Sequence, residues 1–180
     1  MKLLSIVTTV IMSVSSMLAT TPTDYIDLTD YGFADEQTVT CRVVADGVSL
    51  GDIIGYQDVF FNDENCAEIL VELLETEGYT PIYSGTTEEW FYLYAIEGID
   101  TSDAKPSNEM MLFLEEKGVE YTDTVSTESV LSEFDFTDSS GWIFTVNGEI
   151  PSVGMCDYIP ANGDVIELHF TLYYGEDISS

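Results

Sequence analysis

The final alternating run, residues 165–172, constrains the fold of this 180-residue chain more than any other feature. Ile166, Leu168, Phe170 and Leu172 alternate with Val165, Glu167, His169 and Thr171. Only an extended strand with one buried face satisfies that two-residue period. A second run opens the patterned part of the chain: Val39, Cys41, Val43 and Ala45 alternate with Thr40, Arg42 and Val44. Both runs read as half-buried strands with one face for a core.

What lies between begins with Asp46-Gly47, a tight-hairpin signal, and an extended stretch over 48–61 with a bend or bulge expected at Gly51 and Gly55. A helix follows. Cys66, Ile69, Leu70, Leu73 and Leu74 form one apolar stripe at helical spacing, Asn62 or Asp63 can cap its start, and Gly78 can close it. Residues 79–83 and 90–97 read as strands separated by Ser84-Gly85-Thr86. A second helix starts near Pro106-Ser107, buries Met110, Phe113 and Leu114, and ends at Gly118. Residues 119–125 form a further candidate strand. Asn147-Gly148 then supplies a strong hairpin signal between strands at 142–146 and from 149 onward, and Asn162-Gly163 turns the chain into its last strand. The expected class is α+β: a β-grasp-like sheet of hairpins with one or two helices packed on one face.

Charge narrows the partners. With 34 acidic residues against 4 basic ones the net charge is −30, which disfavours nucleic acid and anionic membrane surfaces, both of which are bound through Lys and Arg. Since 45% of residues are hydrophobic, this is a folded domain with an acidic skin rather than a solvated tail. Lys2, the diluted apolar run over 3–14 and the small residues Ser15, Ser16 and Ala19 read as a secretory signal peptide over 1–19. An acidic arm over 20–37 and a single domain over 38–178 are expected to follow. Secretion or cell-surface location is therefore expected, without membrane insertion once the signal is removed. Cys41, Cys66 and Cys156 lack zinc spacing; they are either small buried hydrophobes or allow one disulfide among three pairings.

Nothing in the sequence assembles a catalytic constellation. His169 is the only imidazole, placed by the alternation on the polar face beside Glu167, where it reads as a surface histidine near carboxylates. No nucleophile elbow, Walker loop or zinc-protease motif is present. Carboxylate pairs are too numerous to single out, although the loops holding Asp135 and Asp138, or Glu88 and Glu89, are oxygen-rich enough to suit calcium. The aromatic run is more informative. In 90–95 the strand period sets Trp90, Tyr92 and Tyr94 on one face and Phe91, Leu93 and Ala95 on the other. Such a stripe either stacks on a flat ligand or sugar ring, or lies covered by a helix or by the N-terminal arm, the latter being the expected outcome.

The run Ser132-Glu133-Phe134-Asp135-Phe136, the segment from Ser140-Gly141-Trp142 through Asn147-Gly148-Glu149 to Tyr158, and Asn162-Gly163-Asp164 running to Tyr174-Gly175-Glu176-Asp177-Ile178 together resemble a known pattern. They look like the domain shared by bacterial exported proteins and the C-terminal part of the cobalamin carriers transcobalamin and intrinsic factor. The resemblance implies a β-grasp-like fold and a non-enzymatic binding role, with a corrinoid such as cobalamin as the ligand, and marks Trp142, Phe144 and Tyr158 as candidates at a ligand face. A structural or adhesive cell-surface module with a protein or glycan partner is the alternative.

Overall fold

A computed structural model describes residues 37–125 and 127–178. The leader expected over 1–19 and nearly all of the arm expected over 20–37 lie outside the described residues. The chain runs through β1 (Gln37–Ala45), β2 (Gly51–Phe61), α1 (Cys66–Thr76), β3 (Thr80–Ser84), β4 (Tyr92–Glu97), α2 (Asn108–Lys117), β5 (Val130–Ser132), β6 (Gly141–Val146) and β7 (Val165–Thr171). The class is α+β.

The two alternating runs are neighbours. The larger sheet has the order β2-β1-β7-β6, with β1 and β7 parallel from Thr40 opposite Val165 to Val44 opposite His169. Parallel neighbours cannot be joined by a hairpin, so every other element belongs to the crossover between them. An opening hairpin, a helix, and a last strand parallel to the first give the β-grasp-like arrangement. Cys41 and Val43 face the same way as Ile166 and Leu168 on β7 and, one strand further, Val146 and Phe144 on β6. All six are buried.

A second sheet of three antiparallel strands, β3-β4-β5, was not anticipated as a separate layer. Its buried Leu93, Ile96 and Leu131 join the apolar stripe of α1, Leu114 of α2 and the core face of the larger sheet in one cluster. Trp142 links the layers, because its indole N–H on β6 donates to the Leu131 carbonyl on β5 at 3.1 Å.

Local signals were decided by hydrogen bonds. The cap of α1 is Asn65, not Asn62 or Asp63: its side chain accepts from the Glu68 N–H and Glu68 reaches back to the Asn65 N–H, both at 3.0 Å. That reciprocal box satisfies two donors at once. The stripe on α1 is as expected, with Glu72 and Glu75 facing out. Ser107 caps α2 and Gly118 closes it in the left-handed region, but only Leu114 is fully buried there, while Met110 and Phe113 are half-buried.

Asp46-Gly47 forms one turn of 3-10 helix rather than a two-residue hairpin, with Ser49 left-handed after it. Gly55 lies where the β1–β2 register slips by a residue, the expected bulge. Residues 119–125 are not a strand. Val130–Ser132 pairs with β4 in their place, because Leu131 supplies a buried side chain opposite Ile96. Asn147-Gly148 makes its turn with both φ positive, yet the return strand is a single bridge from Val146 to Glu149. The partner of β6 is instead β7.

Candidate functional site

Trp90 is displayed by a braced loop. The chain leaves β3 at Ser84 and turns at Gly85 with φ +77°, where an added Cβ would lie 2.3 Å from the Trp90 carbonyl oxygen. The Thr86 N–H donates to the Glu89 carbonyl at 2.9 Å, and the Thr86 hydroxyl accepts from the N–H groups of Glu88 and Glu89. Asn65, which caps α1, also donates to the Thr87 carbonyl at 3.0 Å and ties the loop to the helix. Phe91 packs on Tyr83 with centroids 4.9 Å apart. At the end of this frame Trp90 stands 88% exposed with φ +56°, a backbone region that bulky side chains rarely adopt. The strand begins only at Tyr92, so Trp90 does not share the β4 period assigned to it. Among the described residues no helix covers Trp90, the arm offered as its other cover lies outside them, and Tyr92 is 54% exposed. Tyr94 is half-buried.

Tyr92 donates its hydroxyl hydrogen bond to the Glu133 carboxylate, and that bond, with burial, raises the phenol above its ordinary value. From Glu133 the chain enters a turn organised by Asp135, whose buried carboxylate accepts from the Ser132 N–H at 2.8 Å. This turn alternates its aromatics. Phe136 goes inward to meet Phe170 at 6.4 Å, whereas Phe134 points out at 62% exposure with φ +63°. Next to it stands Tyr174, 70% exposed with φ +52°. Asp177 fastens that C-terminal turn by accepting from the N–H groups of Leu172 and Tyr173 and from the Thr171 hydroxyl. Three exposed aromatics, Trp90, Phe134 and Tyr174, thus sit in left-handed backbone at hydrogen-bonded turns, as does the buried Phe136 with φ +73°.

Two clefts run along this face and share Tyr92. One, of about 260 Å³, is lined by Tyr92, Phe134, Ser139, the edge of Trp142, Ile143 and Tyr174. The other, of about 620 Å³, lies between the Trp90 loop and the turn at 154–157, and is lined by Glu88, Glu89, Trp90, Phe91, Tyr92 and Asp157 among others. Ile150, also exposed, extends the apolar strip past Ile143, since both side chains approach Gly175.

The candidates at 142–158 lie elsewhere. Trp142 and Phe144 are buried, Trp142 packing on Phe170 at 5.2 Å. Tyr158 is half-buried, meets Phe144 edge-on at 6.1 Å, and accepts the Cys66 N–H on its carbonyl at 2.9 Å. All three make packing contacts, and Trp142 also lines the smaller cleft. Phe134 and Tyr174 carry no periodic signal in the sequence that marks them as exposed, because both sit in turns.

The polar face of the larger sheet carries a closed network. Arg42 donates from Nε to Asp52 at 2.6 Å and from Nη1 to Glu167 at 3.2 Å, and Tyr56 donates to the same Glu167 oxygen at 2.7 Å. Burial pushes Glu167 up, but the Tyr56 and Arg42 hydrogen bonds outweigh it and hold the carboxyl below its ordinary value. Beside it His169 lies 3.3 Å from the Thr145 hydroxyl, and burial draws its pKa below 6.5 despite the attraction of Glu167. Cys41 and Cys66 are buried free thiols pushed up to about 12 by burial, and Cys156 is free and half-buried. Thiols so raised are poor nucleophiles.

Residues 115–171 match the family model of a domain of unknown function, DUF4430. The match starts in the last turn of α2 and ends with β7. It therefore takes in Phe134, Trp142, Phe144 and Tyr158 but not Trp90, Tyr92 or Tyr94. No curated protein matches the chain. Among the described residues no helix is long and apolar enough to cross a membrane.

Proposed function

We propose that the chain is an exported, non-enzymatic binding module that works through the aromatic face built by Trp90, Tyr92, Phe134 and Tyr174. The observation that carries this reading is Trp90 itself. A tryptophan held almost wholly in solvent by a hydrogen-bonded loop has no role in the core, and exposed apolar strips on a strongly charged surface mark contact sites. Aromatic rings with polar tips offer broad apolar area at small conformational cost and suit flat or ring-shaped ligands. The resemblance to the transcobalamin C-terminal domain lies within and around the matched region 115–171, and makes a corrinoid the first ligand to test.

Equilibrium dialysis of the chain against cobalamin and cobinamide tests that ligand. Retention that falls at least tenfold in Trp90→Ala and Tyr174→Ala, with unchanged melting, is the expected result; no retention up to millimolar ligand removes the corrinoid. A second reading, a cell-surface module that contacts a protein or glycan, is favoured by the openness of both clefts, which run along the surface rather than into the core. Under it the same two substitutions weaken capture of a glycan or surface-protein array while corrinoids are ignored. Indifference of every ligand to Trp90 would overturn both versions.

A further inference from the structure

The larger cleft joins two chemistries, aromatic rings and carboxylates. One wall presents Trp90, Phe91 and Tyr92; Glu88 and Glu89 stand on the loop itself, and Asp157 lies across from it with Gly154 and Cys156. None of the residues lining it is basic. The Asp157 carboxylate lies close over Gly154, 3.7 Å from where a Cβ there would stand, so this side of the cleft is a glycine with a carboxylate above it. At about 620 Å³ the space has the size of a small-ligand site.

We infer that this cleft receives a guanidinium group, carried on an arginine side chain of a partner protein. The inference rests on the binding-module reading and specifies the ligand chemistry of one end of the aromatic face. A planar cation lies on an indole or phenol ring through its positive charge and its own flat surface, and at the same time its N–H groups pair with carboxylates at the ring's edge. Lysine brings charge to the same ring but no fork of donors. A quaternary ammonium fills an aromatic cage yet donates nothing, leaving Glu88, Glu89 and Asp157 without a bonding role. The net charge of −30 attracts every cation alike and raises encounter rates; discrimination among cations has to come from the ring-and-carboxylate geometry.

The test uses the full chain at 150 mM salt, where long-range attraction is screened beyond about 8 Å. N-acetyl-arginine amide, N-acetyl-lysine amide and choline are titrated separately by calorimetry, which gives the affinities of the parent and every variant, while the two indole N–H resonances of the parent are followed. Expected are movement of the Trp90 signal with arginine amide, a still Trp142 signal, and about tenfold weaker binding of the other two probes. Trp90→Ala and the pair Glu88→Gln with Glu89→Gln should each weaken arginine binding about tenfold, whereas Leu112→Ala, exposed on α2 away from both clefts, should leave it unchanged. Equal affinity for the three probes, or arginine binding that survives Trp90→Ala, would show charge attraction alone and overturn the inference. If arginine fails while corrinoid or glycan retention still depends on Trp90, this inference falls and the binding-module reading stands.

Discussion

At the scale of single residues, two side chains have consequences that can be measured without any ligand. Asn65 accepts at the start of α1 and donates to the Trp90 loop. Asn65→Ala should therefore cost about 1 kcal/mol for the cap and about another 1 kcal/mol for the lost buried hydrogen bond. Asn65→Asp should recover part of this, because a carboxylate caps the helix but cannot donate to Thr87. Urea titrations of the three proteins check the order. The second is His169. Its pKa in the folded chain lies below 6.5, so the unfolded chain takes up its proton first as pH falls. The stability it contributes is complete above 6.5 and is lost between there and the folded pKa. His169→Gln should gain on the parent across that window, by no more than ~1.4 kcal/mol per pH unit, the limit for one proton. Unfolding free energies compared at pH 7.5 and 5.5 decide it, and parallel curves would refute it.

At the scale of elements, the β3–β4 loop is the part whose geometry and proposed function coincide. Gly85 has a positive φ and no space for a side chain, with the Trp90 carbonyl 2.3 Å from a Cβ there. Gly85→Ala should move the loop, shift the Trp90 indole resonance and lower stability by about 1–3 kcal/mol. Gly163→Ala is the control: φ is also positive, but nothing lies within 4 Å of its Cβ position. It should cost less and leave Trp90 in place. A loop that tolerated Gly85→Ala silently would not be a braced support for Trp90. Elsewhere the elements show how weak signals were outweighed. Residues 119–125 have strand-like composition, yet the Thr122 N–H spends its hydrogen bond on the Phe136 carbonyl, and the vacancy beside β4 goes to Val130–Ser132.

At the scale of the molecule, the closure of the sheet sets what can fold alone. β7 lies between β1 and β6, so the core face of the matched region 115–171 is completed by strands from the other end of the chain. A fragment of residues 115–178 would present Ile166, Leu168 and Phe170 to water without Cys41, Val43 and α1 to cover them. It should show no cooperative thermal transition and should bind a hydrophobic dye, whereas the intact chain melts cooperatively. A sharp melt of the fragment would mean that β1 is not required.

The division between what sequence and structure determine follows from range. Periodicity is local, so β1, β7, both helices, the Gly55 bulge and the Asn147-Gly148 turn were all legible from residues adjacent in the chain. The α+β class came with them. The resemblance over the last third rests on turns and core positions, and Trp142 and Phe144 are accordingly buried. Exposure is not local. Whether Trp90 and Tyr92 stand open depends on what packs against β4, and whether Phe134 and Tyr174 join them depends on turns held by Asp135 and Asp177, in which Phe136 turns inward while Phe134 turns out. The separation into two sheets, the choice of β7 as partner of β6, and the meeting of Trp90 with Asp157 across a cleft bring together residues tens of positions apart. Tertiary packing alone decided these, because no short-range pattern encodes which distant surfaces must be hidden from water.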